Sequence, residues 1–209
     1  MDHRELAQEL LSRARARGAD AADALVAQGT DFHATVRKGE VETLTDAGSK
    51  ALGLRVFVGR RTASSYTSDF SKAALERLVG DVVEMARATG EDPAAGLPDE
   101  MVPAEAIDLG LLDRSVGTTS TDEKIEMARR AEAAALGASH EITNSQGASV
   151  SADEDEIVLA NTLGFLGSYR SSSISLSVVP VAVKKIFCAA MKARWKLTTT
   201  PLPTCPMCP

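Results

Sequence analysis

The sequence feature that most constrains the fold is a strict alternation of apolar and polar side chains within residues 141–181. A period of two residues is typical of a β-strand with one buried and one solvated face, and it excludes a helix. Val150 and residues 157–160 predict two further short strands in the same stretch, so we expect an antiparallel meander. The alternation is clearest where three aliphatic residues, Ile174, Leu176 and Val178, are interleaved with three serines, Ser173, Ser175 and Ser177.

Turn-forming residues punctuate this meander, and a second strand-rich region precedes it. In residues 22–66 the apolar period is again two, which predicts about four strands joined by hairpins. The turns predicted in that region lie at Gly29, residues 37–39, residues 46–48 and Gly59. The turns predicted in the meander lie at Asn144, Gly147, Asn161, Gly164 and Gly167.

Three segments have the 3.6-residue period of amphipathic helices. The first starts at residue 2 and ends at Gly18, the second covers about residues 71–88, and the third covers residues 120–137. Ser120 and Glu123 have the spacing of a capping box at the start of the third helix. The predicted fold class is therefore α+β, with the N-terminal helix first and helices packed on one face of a mostly antiparallel sheet.

The composition is that of an ordinary soluble protein. Of the 209 residues, 44% are apolar and 25% are charged, and the net charge is −6. Residues 1–183 carry 18 basic and 29 acidic side chains, a net charge of −11, which disfavours direct binding to nucleic acid. No apolar run approaches the roughly 18 residues that a membrane span needs, and the N-terminus lacks a secretory signal. We therefore expect a cytoplasmic protein without membrane contact.

Two stretches of the sequence resemble the TldD/PmbA family, metallopeptidase-related proteins that are also called modulators of DNA gyrase. The first stretch is VRKGEVETLTDAGSKALGLRVFVGRRTASSYTSDFS, residues 36–71. The second contains ITNSQGASVS and VLANTLGFLGSYRSSSISLSV, where the "NS-G" and "GF-GSYR" runs are similar to the PmbA branch. The resemblance covers about residues 6–181. It implies the N-terminal domain of a PmbA-type subunit in a zinc-dependent peptidase complex that acts on unfolded peptides.

The resemblance also implies a domain organisation. We expect one PmbA/TldD-like domain over residues 1–183, with two possible lobes, 1–90 and 118–183, joined by the proline-containing acidic connection 91–117. Residues 184–209 form a basic tail with four prolines and all three cysteines, and their composition is unlike the family. Family members continue with a C-terminal domain that is absent here, so we expect a truncated chain.

The sequence predicts no catalytic or metal-binding residues. A zinc peptidase needs closely spaced histidines with a glutamate, as in H-E-x-x-H or H-E-x-x-x-H. His3, His33 and His140 are scattered, and the residues after His140–Glu141 complete neither spacing. We expect His140 to be a loop or strand-edge residue and His33 to be solvated. No serine-nucleophile or phosphate-binding motif is present. By family resemblance, zinc belongs to a TldD-like catalytic partner, and this chain holds no cofactor.

A weaker alternative is a thiol or metal site in the tail. Cys205 and Cys208 form a C-x-x-C motif, and Cys188 is the only candidate third ligand. A redox C-x-x-C needs a helix N-terminus and zinc needs four ligands, and neither condition is visible among the surrounding prolines. We therefore interpret the motif as accidental.

The remaining candidate site is a serine-rich strand that could face a peptide. A strand with small side chains can accept an extended chain by β-augmentation, in which backbone hydrogen bonds supply affinity without sequence preference. The expected partners are a TldD-like subunit or a second copy, in a dimer or higher oligomer, and a peptide substrate. The alternative function is a stand-alone protein-interaction or peptide-binding module. The candidate residues are Ser171, Ser173, Ser175 and Ser177.

Overall fold

The computed structural model describes residues 2–99 and 109–183. The predictions for the tail, including Cys188, Cys205 and Cys208, and for part of the connection 91–117 lie outside these residues. Helices and strands follow one another as α1 His3–Ala16, β1 Ala21–Arg37, β2 Glu40–Val58, β3 Arg61–Thr67, α2 Lys72–Ala88, α3 Arg114–Thr118, α4 Thr121–Gly137, β4 Ile142–Asn161 and β5 Leu166–Ala182. No described helix is long and apolar enough to cross a membrane.

The five strands form one antiparallel sheet in the order β3-β2-β1-β4-β5. The α+β class with the N-terminal helix first is thereby confirmed. The β2–β3 pairing runs from Leu52 opposite Thr67 to Val58 opposite Arg61, so it uses only the second half of β2. Strand β5 is an edge strand, because β4 is its one neighbour among the described residues.

The strands are fewer and longer than predicted. The predicted turns at Gly29 and at residues 46–48 are wrong, because β1 and β2 run straight through them. Likewise β4 includes Asn144 and Gly147, and Gly167 lies inside β5. A glycine within a strand often marks a close approach instead of a turn. At Gly29, for instance, an added Cβ would lie 2.1 Å from Oδ1 of Asp155 on β4.

The described residues divide into two compact units. Unit 1 comprises residues 2–31, 46–99, 109–117 and 153–172, and unit 2 comprises residues 32–45, 118–152 and 173–183. The division cuts across long strands, since β1, β2, β4 and β5 each contribute residues to both units.

Unit 1 has a core made by two helices and the sheet. The predicted face of α2 is buried, and α1 contributes Leu6 and Leu10 to the same core cluster. Leu52 and Leu54 of β2 meet these helices from the sheet. Burying side chains of this kind contributes about 1.5–3 kcal/mol each, which makes this cluster the main source of the unit's stability.

Unit 2 contains α4, whose predicted capping box is present. The Ser120 side chain accepts from the backbone of Glu123, and the Glu123 carboxylate accepts from the backbone of Ser120. Ile125 and Ala128 of α4 are buried, and the Nζ of Lys124 lies 4.8 Å from the centre of the Phe32 ring on β1. The helix therefore covers the apolar residues at this end of β1.

Candidate interaction surface

The outer side of β5 has no partner strand within the described residues. In unit 2, the backbone N–H of Val183 donates to the carbonyl of Glu141, which lies just before β4, at 3.1 Å. N–H groups alternate in direction along a strand, so those of Ile174, Leu176 and Val178 point away from β4. Pro180 belongs to the same outward set and has no N–H, which is where an edge strand tolerates proline.

A contact in unit 1 independently shows the same alternation. The N–H of Ser172 donates to the carbonyl of Leu111 at 2.9 Å, and the Oγ of Ser172 accepts from the N–H of Asp113 at 2.8 Å. Ser172 is two residues before Ile174, so its N–H points to the same side of β5 as the N–H groups of Ile174, Leu176 and Val178. Its outer side is thus already paired with an extended segment of the chain itself.

The four candidate serines do not belong to one unit. Ser171 lies in unit 1 and is half-buried, whereas Ser173, Ser175 and Ser177 lie in unit 2 on one face of β5. Ser173 is exposed, and the other two are half-buried. The structure therefore brings three of the four together within one unit.

The opposite face of β5 is less buried than the alternation predicts. Ile174, Leu176 and Val178 are only half-buried, and no residue of β5 reaches full burial. The physical reason is the edge position: a strand with one neighbour has side chains covered from one side only. The prediction of one dry face is therefore wrong for this strand within the described residues.

A row of hydroxyl groups joins β1 and β4 in unit 2. The Oγ1 of Thr35 lies 3.0 Å from the Oγ of Ser149, and the Nδ1 of His33 lies 2.9 Å from the Oγ of Ser151. His33 is exposed but bound to its neighbour strand, so it is not merely solvated as predicted. These polar pairs link the two strands from side chain to side chain.

Glu132 of α4 is the residue that sequence reasoning missed. Its side chain is 1% exposed, and its two carboxylate oxygens accept from the backbone N–H groups of Lys38 and Gly39, each at 2.9 Å. Those two residues form the β1–β2 turn with positive φ of 54° and 79°, as a tight hairpin of the primed type requires. Arg129 of the same helix donates to the carbonyl of Gly39 at 3.0 Å. Helix α4 thus holds the hairpin by its turn.

The surroundings of Glu132 favour its charged form. Burial by itself would raise the pKa of Glu132, but the hydrogen bonds from Gly39, Lys38 and Ser145 and the positive charge of Arg37 outweigh it. The pKa of Glu132 is therefore lowered, and the buried carboxylate is ionised near neutral pH. A buried carboxylate with this many donors stabilises the arrangement around it.

The "NS-G" run has a structural explanation in unit 2. Ser145 is 1% exposed, and its Oγ accepts from the N–H of Gly147 at 2.8 Å. Gly147 has a φ of 111°, and an added Cβ would lie 2.9 Å from the carbonyl oxygen of Val36. The serine and the glycine are required because the backbone of β4 has an irregular conformation here and lies very close to the backbone of β1.

The "GF-GSYR" run builds a turn and two anchors in unit 1. The Oδ1 of Asn161 accepts from the N–H groups of Leu163 and Phe165, which closes the β4–β5 turn. After the turn, the Oγ of Ser168 accepts from the guanidinium of Arg4 on α1 at 2.6 Å, and Arg170 pairs with Glu154. Both motifs therefore serve the fold directly.

The described residues do not fit a zinc site. His140 is exposed in the turn before β4, as predicted, and the Nδ1 of His3 bonds Glu156 at 3.0 Å. Within residues 2–99 and 109–183, no three His, Cys, Asp or Glu side chains come together as a ligand set. His3 and His33 bond different residues, so no catalytic step is assigned to a metal on this part of the chain.

Two domain models of one protein family match consecutive parts of this chain. The PmbA/TldA metallopeptidase domain 1 matches residues 22–86, and the PmbA/TldA metallopeptidase central domain matches residues 114–195. The second match extends 12 residues beyond residue 183, into the segment that sequence composition set apart. The two matches leave residues 87–113 between them.

Curated relatives have the same family name. The chain is 37% identical over 164 residues to the metalloprotease PmbA of Escherichia coli O157:H7, covering 78% of this chain and 36% of that protein. It is 33% identical over 172 residues to the metalloprotease PmbA homolog of Haemophilus influenzae, covering 82% and 37%. The chain therefore spans little more than a third of the length of these relatives.

Solved structures share the fold. A proposed modulator of DNA gyrase from Bacteroides thetaiotaomicron aligns with a TM-score of 0.79 at 26% identity, over 93% of this chain and 43% of that one. TldE from Thermococcus kodakarensis aligns with a TM-score of 0.73 at 14% identity, over 86% and 40%, and at that identity shows the fold alone. Two domain matches in the family's order, together with these relatives, show that the chain belongs to the PmbA/TldD family.

Proposed function

We propose that this chain is a non-catalytic, chain-binding part of a PmbA-type subunit in a zinc-dependent TldD/PmbA peptidase complex. The observation that carries the proposal is the outer edge of β5, where Ile174, Leu176 and Val178 direct their N–H groups away from β4. Family membership and the metalloprotease names of the relatives support the peptidase context. The zinc and the catalytic glutamate belong, on this proposal, to a TldD-like partner subunit.

The ligand that fits this edge is an extended polypeptide. Backbone N–H and C=O groups bind another backbone irrespective of its side chains, so an unfolded peptide or an extended segment of the partner subunit satisfies them equally. The side chains on residues 173–182 are small or aliphatic and carry no charge, so they impose little electrostatic selection. A peptidase complex that accepts varied unfolded chains requires a surface with these properties.

The pairing of Ser172 with Leu111 supports this use of the strand. In unit 1 an extended segment of the chain already donates and accepts at the outer side of Ser172. Each such backbone bond contributes about 0.5–1.5 kcal/mol net. A partner strand that bonds along residues 174–178 would thus gain a few of these bonds together with whatever apolar contact it makes.

The test compares two substitutions at one position. Leu176→Pro removes the outward N–H, whereas Leu176→Ala removes the same side chain and keeps the N–H. We expect the proline variant to lose binding of a TldD-type subunit, or of an unfolded casein fragment, by tenfold or more relative to the alanine variant, measured by calorimetry. Equal binding by the two variants would refute pairing at this edge.

A substitution at Ser175 does not probe the same surface. By the alternation, the N–H of Ser175 points towards β4, so Ser175→Pro would break the sheet internally. Circular dichroism on each variant separates the two effects, because the Leu176 variants keep all β4–β5 hydrogen bonds. Loss of partner binding in a variant with a native spectrum therefore reports on the edge.

The alternative function, a stand-alone interaction module, uses the same edge with a second copy as the partner. We propose in either case a cytoplasmic protein that contacts neither membrane nor nucleic acid, since its net charge of −6 repels phosphate backbones. A gel-shift measurement on plasmid DNA at low salt checks this, and retention of the DNA would contradict it.

A further inference from the structure

A cleft between α1 and α2 in unit 1 brings together three cationic side chains and one carboxylate. It has a volume of about 500 Å³ and is lined by Arg13, Ala16, Arg17, Lys72, Glu76 and Val79. None of these residues contributes to the β5 edge, to either sequence motif or to the Glu132 anchor. Arg13 and Arg17 lie at the C-terminal end of α1, where the helix dipole favours cations, so Lys72 is the cation of this cleft that the helix ends do not explain.

Arg13 contributes a donor that has no acceptor. Its Nη2 bonds the Oε1 of Glu9 at 2.6 Å, but its Nη1 is buried and is the one such side-chain nitrogen or oxygen in the described part of the chain without a hydrogen-bond partner. Buried donors are almost always paired, because leaving one unpaired is unfavourable. The unpaired nitrogen leaves a place for an acceptor from outside the described residues.

Arg17 is held in place while its guanidinium stays available. Its backbone carbonyl accepts from the Nη2 of Arg87 at 3.0 Å, which fixes the end of α1. Its Nη1 lies 3.4 Å from where a Cβ on Gly80 would be. Glycine is unfavourable in the interior of a helix, and Gly80 sits in the middle of α2. The guanidinium of Arg17 therefore lies next to the middle of α2, on the side that lines the cleft.

Lys72 is placed against the usual electrostatic preference. It is the first residue of α2, and the first turn of that helix contains no acidic residue. The positive end of a helix dipole favours anions and disfavours a lysine. With Arg13 paired to Glu9, Arg17 and Lys72 outweigh Glu76 by one positive charge. A bound anion would offset the unfavourable placement of Lys72.

We propose that this cleft binds an oxyanion, either a carboxylate or a phosphate group, through Arg13, Arg17 and Lys72. Guanidinium groups bind two oxygens of such a group side by side, and the N-terminal end of α2 adds a favourable dipole. Arg17 and Lys72 are the ligand-binding residues that can be changed without touching the core, because both are exposed.

The experiment titrates the full chain with sodium phosphate and, separately, sodium acetate, with sodium chloride added to hold the ionic strength constant. The readout is the NMR shift of the arginine Nε–Hε signals. We expect saturable shifts of Arg13 and Arg17, at least threefold weaker binding for Arg17→Gln or Lys72→Gln, and at least tenfold for the double variant. The stronger of the two probes identifies the preferred oxyanion.

Two controls make the outcome decisive. Arg77→Gln removes an exposed cation of α2 that does not line the cleft, and it should bind as the wild type does. Gly80→Ala should raise the melting temperature, because alanine favours the helix, and leave anion binding unchanged, because its Cβ would make an ordinary contact with the guanidinium of Arg17. Chloride producing the same shifts, or the double variant binding like the wild type, would overturn the proposal.

Discussion

Among single residues, Glu132 is the one that holds the β1–β2 turn against α4. One carboxylate on α4 receives both N–H groups of the β1–β2 turn, and it does so inside the protein where the alternative partners are few. From the sequence, Glu132 is one of several glutamates in a helix of ordinary composition, so nothing marks it. Only the packing of α4 on the hairpin turns it into an anchor.

We expect Glu132→Gln to destabilise the protein by about 2 kcal/mol, because an amide replaces a carboxylate that accepts two backbone hydrogen bonds. The effect should depend on pH. Since the folded pKa of Glu132 is lowered, its contribution is fully present above the unfolded pKa of about 4.3 and is lost as pH falls through the folded pKa.

Urea denaturation at pH 7 and at pH 3 measures both parts of this prediction. The gap between the wild type and Glu132→Gln should be wide at pH 7 and narrow at pH 3. Comparing the two proteins cancels the contributions of Asp69, Asp113 and Glu123, whose pKa values are also lowered by hydrogen bonds to nearby serines. A gap that is independent of pH would show that the charge of Glu132 is not what matters.

Gly147 is the second residue with a requirement of its own. Gly147→Ala should cost about 1–3 kcal/mol, since it combines a positive φ with a contact of 2.9 Å to the carbonyl oxygen of Val36. Gly53→Ala is the matched control, because nothing lies within 4 Å of its added Cβ. Thermal unfolding of the two variants decides the matter, and similar melting temperatures would contradict it.

Among whole elements, the sequence predicts the helices better than the strands. Amphipathic spacing places all three long helices within a few residues, because each has a continuous apolar face and a capping residue. The strands are miscounted because Gly29, residues 46–48 and Gly147 look like turns locally. At Gly29 and Gly147 the glycine instead allows close approach to a neighbouring strand, which depends on a residue far along the chain and is invisible in a local pattern.

The capping box of α4 gives a test at this scale. Ser120→Ala should lower stability by about 1 kcal/mol, because it leaves the N–H of Glu123 without its acceptor. Ser12→Ala on α1 is a useful reference, since that exposed serine lies within the helix and its Oγ donates to the carbonyl of Gln8 instead of capping a helix end. Circular dichroism during heating measures the stability of both variants. An equal loss of stability in the two would argue against a specific role for the capping box.

The candidate site was only partly predictable for the same physical reason. Alternation identifies β5 and its serines, since side-chain direction follows from sequence position. Which N–H groups point outward depends instead on which side of β5 its neighbour β4 occupies. The hydrogen bond from the N–H of Val183 to the carbonyl of Glu141 shows that side. The half-burial of Leu176 likewise reflects the edge position and not the residue's own hydrophobicity.

For the molecule as a whole, the free edge of β5 predicts association. An edge strand with unpaired backbone groups recruits another chain, so we expect a dimer or larger oligomer at micromolar concentration instead of a 22.0 kDa monomer. Leu176→Pro should shift the species towards monomer while Leu176→Ala should not. Light scattering measures the mass directly, and a monomeric wild type would rule out self-pairing at this edge.

Unit 2 has a second edge, because within the described part of the chain β3 pairs only with residues 52–58 of β2. The side chains of residues 40–45 of β2 are exposed. In the language of polymer chemistry, the unit is a bifunctional monomer, and its product depends on which ends react. Two β5 edges joining each other give a closed pair, whereas β5 joining β2 gives a growing chain. Glu40 and Glu42 put negative charge on the β2 end, while residues 173–182 have none. Because charged side chains on an edge strand disfavour pairing, we expect the closed pair to form in preference to a growing chain.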